Sequence, residues 1–413
     1  MQKKLIAAAV AGLLAVPAMA QTNVTISGAL KMGWEHYKLS GGATALGHDA
    51  ESRVSDQSSQ VVFNVVEDLG GGLKAWGQID SRINSDLGAG AWSSGNTGVG
   101  FMGDKWGKFT LGRWDVHYQE MAGIEASRAG SLQTLFGHGM MSQVATVYSA
   151  APAVGTVGSK AGAGAYALAT EGLMTMGGRA SNLMMWDSPN WNGFTARVGY
   201  STAARGNEGI DNRVMGNAGG GRAWTGALRY NNGPWQGGLS YWNENGESRV
   251  AGARAADSRS TRAWIGYTFA MGLKLGFGYD HSSFDNHILG AAKAVGSGNA
   301  SRNAWFIPVT YTFGPHAIYA KYARAGHASG SAIAAGTGGD YKAHAWHLGY
   351  DYAFSKRTSV GVFYTKVNNN CNAACTVGGA YDQFAVSGTG NAASPTLRGE
   401  DSRQWYLGMA HSF

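Results

Sequence analysis

The last nine residues, Trp405-Tyr-Leu-Gly-Met-Ala-His-Ser-Phe413, limit the fold more than any other stretch of this chain. Trp405, Leu407, Met409, His411 and Phe413 alternate with Tyr406, Gly408, Ala410 and Ser412. A strand over these residues has one bulky, mostly apolar face and one small or polar face. In water an exposed row of that kind, ending on an aromatic ring, makes little sense. In a bilayer the bulky face meets lipid and the terminal ring sits at the interface. A strand enters lipid only when neighbouring strands satisfy all of its backbone hydrogen bonds in a closed barrel.

The other end of the chain agrees. Lys3 and Lys4 precede an apolar run over residues 5–16, and Ala18-Met-Ala20 is a small-residue cleavage pattern. This predicts a signal peptide over 1–20, cleaved after Ala20, and a single domain over 21–413. The apolar run is too short to cross a bilayer as a helix, and no run of 18 apolar residues occurs elsewhere. No Cys lies near the cleavage site, which argues against a lipoprotein.

Composition fits a barrel. The chain has 64 Gly but only 7 Pro, with 14 Trp, 18 Tyr and 14% charged residues. A helical protein would not tolerate so much Gly, and a disordered one would not carry so many aromatics. The formal charge is +7, scattered along the chain rather than gathered into the dense basic patch that nucleic acid requires. Cys371 and Cys375 match neither a redox C-x-x-C pair nor a haem site. In an oxidising compartment they are expected to form a small loop disulfide.

Period-two alternation recurs along the chain. Val24, Ile26, Leu30 and Trp34 oppose Thr25, Ser27, Lys31 and Glu35. Leu275 and Phe277 oppose Gly276 and Asp280; Trp346 and Leu348 oppose His347 and Asp351. These runs are longer than the strands of a soluble sandwich. Seven short turns, from Asp68-Leu-Gly-Gly-Gly72 to Ser355-Lys356, alternate with eight long Gly/Ala/Ser/Asn-rich stretches, near 39–50, 87–95, 115–177, 203–220, 245–257, 284–301, 326–340 and 368–399. That count predicts an all-β, 16-stranded antiparallel transmembrane barrel with short periplasmic turns and long extracellular loops. Aromatics beside the short turns, including Trp106, Phe109, Trp191, Phe194, Trp235 and Phe354, read as a periplasmic girdle. Sixteen strands is the size at which a barrel keeps an aqueous channel.

Several segments resemble the general porins of Gram-negative bacteria, in particular the betaproteobacterial type. They are Glu67-Asp-Leu-Gly-Gly-Gly-Leu-Lys-Ala75, Leu111-Gly-Arg113, Arg179-Ala-Ser-Asn182 with Trp186-Asp-Ser-Pro189, Phe354-Ser-Lys-Arg-Thr358, and the terminal His411-Ser-Phe413. The resemblance covers nearly the whole mature chain. It implies an outer-membrane homotrimer, set among lipid and lipopolysaccharide, that passes ions and small hydrophilic solutes. It also implies that the assembly machinery reads the C-terminal strand (Trp405, Leu407, Met409, His411, Phe413) as an insertion signal. No cofactor or nucleic acid is implied. In such porins the third loop folds into the lumen, and its acidic residues face a basic ladder on the wall across a narrow, field-bearing gap.

Carried onto this chain, Arg113, Arg179 and Lys31 become candidates for the basic side, and Asp115, Glu120 and Glu125 for the acidic loop. The pattern departs at Ser59-Gln60 and at 96–101, where ladder arginines are missing, and in the long third loop, 115–177. Lys274, Lys321 and Arg229 also fall on lumen-facing positions. Excess basic charge favours weak anion preference. Two alternatives stay open: a substrate-specific channel with a track of Tyr118, Phe136, Tyr148 and Tyr166 in the third loop, or a plugged barrel serving as an adhesin or structural protein. Catalytic and metal motifs are absent, His117 and His138 notwithstanding, and Gly162-Ala-Gly-Ala-Tyr-Ala167 matches a dinucleotide loop in letters only.

Overall fold

The computed structural model describes residues 23–40, 50–57, 59–125, 131–132, 179–204, 222–245, 254–288, 298–330, 342–369 and 401–413. Residues 1–20 and the pair Cys371 and Cys375 lie outside these. Eighteen strand segments form one antiparallel sheet. They are β1 (Asn23–Ser40), β2 (Glu51–Asp56), β3 (Ser59–Gly70), β4 (Leu73–Asn84), β5 (Ala89–Ala91), β6 (Thr97–Gly103), β7 (Gly107–Asp115), β8 (Arg179–Asp187) and β9 (Phe194–Ser201). The rest are β10 (Arg222–Asn232), β11 (Trp235–Asn245), β12 (Arg254–Thr268), β13 (Leu273–Ile288), β14 (Gly298–Phe313), β15 (His316–Ser329), β16 (Ala343–Ala353), β17 (Thr358–Asn369) and β18 (Asp401–Ser412).

The wall has sixteen strands because two segments are not independent. β2 and β3 pair with the upper and lower parts of β1 and are two halves of one wall strand. β5 pairs only with the top of β4, whose lower part pairs with β6. Closure comes from β1 and β18, paired in unbroken register from Ala29↔Ser412 to Ser40↔Asp401. The last residue joins the seam: Phe413 and Gly28 exchange both backbone hydrogen bonds, each 3.1 Å.

Alternation sorts the side chains as the sequence predicts. Trp405, Leu407 and Met409 are exposed on the outer face, while Tyr406 and Ala410 are fully buried inside. Trp106, Trp191, Phe194, Trp235, Phe354 and Phe413 are exposed at the short-turn end, where the girdle is expected. Strand ends differ from expectation. β12 starts at Arg254, β13 runs to Ile288, β14 starts at Gly298 and β15 runs to Ser329, all inside segments read from sequence as loops. Backbone pairing continues above the bilayer, where Asp257, Arg259, His281 and Ser283 take the outward positions that Ile265 and Phe277 hold lower down. Hydrophobic alternation marks only the part of a strand that touches lipid.

The seam is tight where two glycines meet. Gly33 and Gly408 are registered partners, and a Cβ on Gly33 would lie 2.6 Å from Gly408 Cα and 2.8 Å from the Tyr406 ring. Both sites are needed for the ring to lie flat across the closing strands. Gly33→Val should therefore cost roughly 1–3 kcal/mol by overpacking. The expected result is a clear loss of heat-modifiable folded barrel on unboiled gels, and a variant folding with wild-type yield would contradict the seam geometry.

Candidate functional site: the third loop and the charged lumen

β7 ends at Asp115, and the chain then turns into the barrel as two short 3-10 turns, His117–Gln119 and Ala122–Ile124. Its docking starts with Val116, fully buried against Leu183, Met185 and Trp242. Next, His117 is clamped between Ser240 Oγ and Ser260 Oγ, each at 2.8 Å. Ser260 gives its own hydrogen to Asp280, so it accepts from His117 Nε2–H, which leaves Nδ1 to accept from Ser240. Arg262, ion-paired with Asp280, donates to the Tyr118 carbonyl at 2.9 Å. Burial, then the Arg262 charge, holds the His117 imidazolium form well out of reach, far below the usual imidazole pKa. Burial, with Asp115 adding to it, pushes the Tyr118 phenol up to about 12.

Further on, the loop lies in a trough that glycines make. Gly266 and Gly276 are registered partners on β12 and β13, and a Cβ on either would meet Ile124, at 2.8 and 3.2 Å respectively. The Lys274 ammonium donates to the Gly123 carbonyl. Ser131 bonds Asp351, and Leu132 packs on Tyr319, Phe363 and Tyr406. The described part of the loop thus follows the inner wall from β8 round to β18.

Ion pairs fasten it. Glu120 bonds Arg229 and Arg197, the latter at 3.1 Å, and Arg197 also reaches Asp187 at 2.7 Å. Glu125 is fully buried, 2.9 Å from Lys321 Nζ. Two of the three acidic candidates therefore meet wall cations, although the partners are Arg197, Arg229 and Lys321. The pairs are direct contacts, where sequence reasoning expected charges facing each other across a gap. Asp115 and Arg179 depart from that expectation. They are registered neighbours on β7 and β8 and form a 3.0 Å salt bridge at the neck of the loop, so they do not face each other across the pore. Their partners Asn96 and Ser94, at the top of β6, hold them there. Arg113 lies in the bulge between Gly112 and Trp114, is exposed, and donates to Ser181 Oγ at 3.2 Å, outside the ion-pair network. Lys31 points inward, half-buried, within electrostatic reach of Asp351 and Asp56.

Arg197, Asp187, Arg262 and Asp280 were not singled out in the sequence. Parity gives them away in hindsight: Arg197 is the polar neighbour of exposed Val198, and Asp187 and Arg197 are registered partners, as are Arg262 and Asp280. Of the aromatic track, Tyr118 is in the loop as described, with Gln119 donating to its hydroxyl at 2.6 Å; Phe136, Tyr148 and Tyr166 lie outside the described residues.

One asymmetry bears on function. In most of the pairs the cation is the more exposed partner: side-chain exposure is 19% for Arg53 against 0% for Glu35, 33% for Arg82 against 4% for Asp80, and 24% for Arg229 against 2% for Glu120. Water in the lumen meets guanidinium groups while the carboxylates lie behind them.

Comparison with known proteins places this geometry. A family profile described as Gram-negative porin matches residues 7–373. An outer-membrane porin protein of Bordetella pertussis is 27% identical over 403 residues, covering 89% of this chain and 95% of its own. Among solved structures, the anion-selective porin from Comamonas acidovorans has a TM-score of 0.67 at 22% identity, covering 95% of this chain and 100% of its own. The trimer form of OmpT, an outer-membrane protein of Vibrio cholerae, has a TM-score of 0.61 at 13% identity, covering 95% and 99%. The chain belongs to the Gram-negative porin family and forms a passive channel in the outer membrane.

Proposed function

We propose that this porin is a general-diffusion channel with weak preference for small anions, that it works as a homotrimer, and that it performs no catalysis. The observation that carries the selectivity is the exposure asymmetry of the lumenal ion pairs, with cations toward water and carboxylates behind. A permeating anion therefore meets the nearer charge, and in a narrow pore with low-dielectric walls that difference is magnified. A solved relative is itself an anion-selective porin, and another was solved as a trimer. A cleaved signal peptide over 1–20 and a reading of the C-terminal strand by the assembly machinery belong to the same proposal.

Three measurements test it. In a KCl gradient the reversal potential should carry the anion sign. Replacing Arg82 and Arg179, 33% and 21% exposed, by Gln should lower the chloride-to-potassium permeability ratio roughly two- to five-fold for each charge removed, the scale of one unit charge a few ångströms away in water. A wild-type channel of cation sign would overturn the selectivity reading.

The loop seat makes a second prediction. Gly276→Val puts methyl groups into the space of Ile124 and should lift the third loop from the wall. Larger and noisier single-channel currents are expected; unchanged currents would mean that this stretch does not set the pore.

The third concerns pH. His117 is held neutral, so the unfolded chain binds its proton more readily than the docked loop does. Its contribution to loop docking is complete above the ordinary imidazole pKa of about 6.5 and fades as pH falls below it. Open-channel noise should rise on acidification in wild type and respond less to pH in His117→Asn; identical pH profiles would remove His117 from the anchor.

A further inference from the structure

The row of charges at the foot of β7 does not balance. Lys108 on β7 and Asp187 on β8 are registered partners. They share the inward parity of Thr110 and Met185, which are buried, while Leu111 and Met184 are exposed on the outer wall. A lysine beside an aspartate in this register ordinarily pairs with it. Here Asp187 turns the other way, 2.7 Å from Arg197 and 3.4 Å from Arg229. The same two arginines hold Glu120 of the third loop. Two carboxylates thus meet two guanidiniums, and the group is neutral before Lys108 is added.

Aromatic rings hold Lys108 instead. Its Nζ lies 3.5 Å from the centroid of the Trp76 ring and 4.6 Å from that of Trp114. The two rings meet edge to face, 5.5 Å apart at 80°, and the ammonium sits in the corner between them. Trp76 reaches this corner from β4 by crossing β6 at Gly100, where a Cβ would run into the Phe109 carbonyl and lie 3.2 Å from Trp76 Nε1. The indole N–H ends on that same carbonyl, at 3.1 Å. A ring face attracts a cation through its quadrupole but carries no net charge. The contact therefore fixes the ammonium and leaves its field intact, whereas a carboxylate in the same place would cancel most of it. Among the described residues Lys108 has no ion-pair partner, and it is half-buried, so part of it meets the lumen.

The charge also has a place along the pore. Lys108 is the second residue of β7, seven before Asp115, where the third loop begins. At a rise of about 3.4 Å per residue and a tilt of about 40°, that is about 18 Å toward the periplasmic mouth. A fixed cation near one mouth enriches anions at that mouth and not at the other.

We propose that Lys108 is a specificity-determining residue of the channel: an uncompensated cation, held by Trp76 and Trp114 at the periplasmic end of the lumen, that gathers small anions there and eases their entry from that side. This deepens the anion preference proposed above, on which it rests, and assigns part of it to a residue outside the ion pairs.

The test uses single channels of the full-length folded protein, with folding checked on unboiled gels. Currents at equal and opposite voltages and reversal potentials are measured in KCl at about 0.1 M and about 1 M, where fields are screened over about 10 Å and about 3 Å. Wild type is compared with Lys108→Gln, with Lys108→Met, which keeps an apolar stem against the rings, and with Lys108→Arg, which keeps the charge. In dilute salt the wild-type current should be larger in one polarity by roughly two- to three-fold, the scale of one unit charge about 6 Å away in water. In concentrated salt the two polarities should converge. Both neutral variants should lose the asymmetry, and their chloride-to-potassium permeability ratio in dilute salt should fall by a similar factor; Lys108→Arg should keep both. Neutral variants that match wild type in dilute salt would overturn the proposal and leave the anion preference standing. A change equally large in 1 M salt would also overturn it, because Lys108 would then act by propping the two tryptophans and not through its charge. A wild-type channel of cation sign whose neutral variants still lose the asymmetry would remove the anion preference alone and keep Lys108 as the charge at the periplasmic mouth.

Discussion

Nothing in a bilayer can satisfy a stray backbone N–H or C=O, and this one constraint organises the molecule. It forces the sheet to close, and closure forces β1 and β18 together along their full shared length. The closed sheet then has only two surfaces, so every side chain is either against lipid or in the lumen. The apolar outer wall, the aromatic rings at the short-turn end and the charged interior are all consequences of that division. At the seam the demand is so strict that Gly33 and Gly408 pair with Tyr406 lying across them.

The third loop answers a second demand, that a polar segment be held still inside a water-filled tube. It does so by several weak means used together. Glycines on β12 and β13 open a trough for Ile124, His117 is held by two serines, and carboxylates at 120 and 125 reach wall cations. Acids used as fasteners are no longer available to the pore. In most of the described ion pairs the basic partner is the more exposed one. Buried pairs of this kind hold the loop in place more than they add net stability.

Much of this was legible in the sequence. Parity in Leu275, Phe277 and Trp405 gave the outer face, turn chemistry gave the strand count, and the apolar rows gave the membrane. Glu120 and Glu125 were identified as loop acids, and both are seated against basic wall residues. The wall partners were harder. Arg197 and Lys321 are ordinary inward-facing cations until the path of the loop is known, and that path depends on contacts between residues far apart in the chain. Asp115 and Arg179 were placed on opposite sides because the resemblance puts one on the acidic loop and the other on the basic wall; the register shows that they are direct cross-strand partners. The upper ends of β12 to β15 were invisible for a simpler reason, since above the membrane no apolar face is needed.

The seam between β1 and β18 also has a cost in time. Its two edges come from the most distant parts of the described chain, so the contact that completes the barrel has the greatest loop-closure entropy of any in the sheet. Every other hairpin can form between near neighbours while this one waits. Until it forms, two bare strand edges are exposed together, the condition under which sheets join the wrong partner. A barrel sealed by its first and last strands is most exposed to mispairing when it is nearly finished.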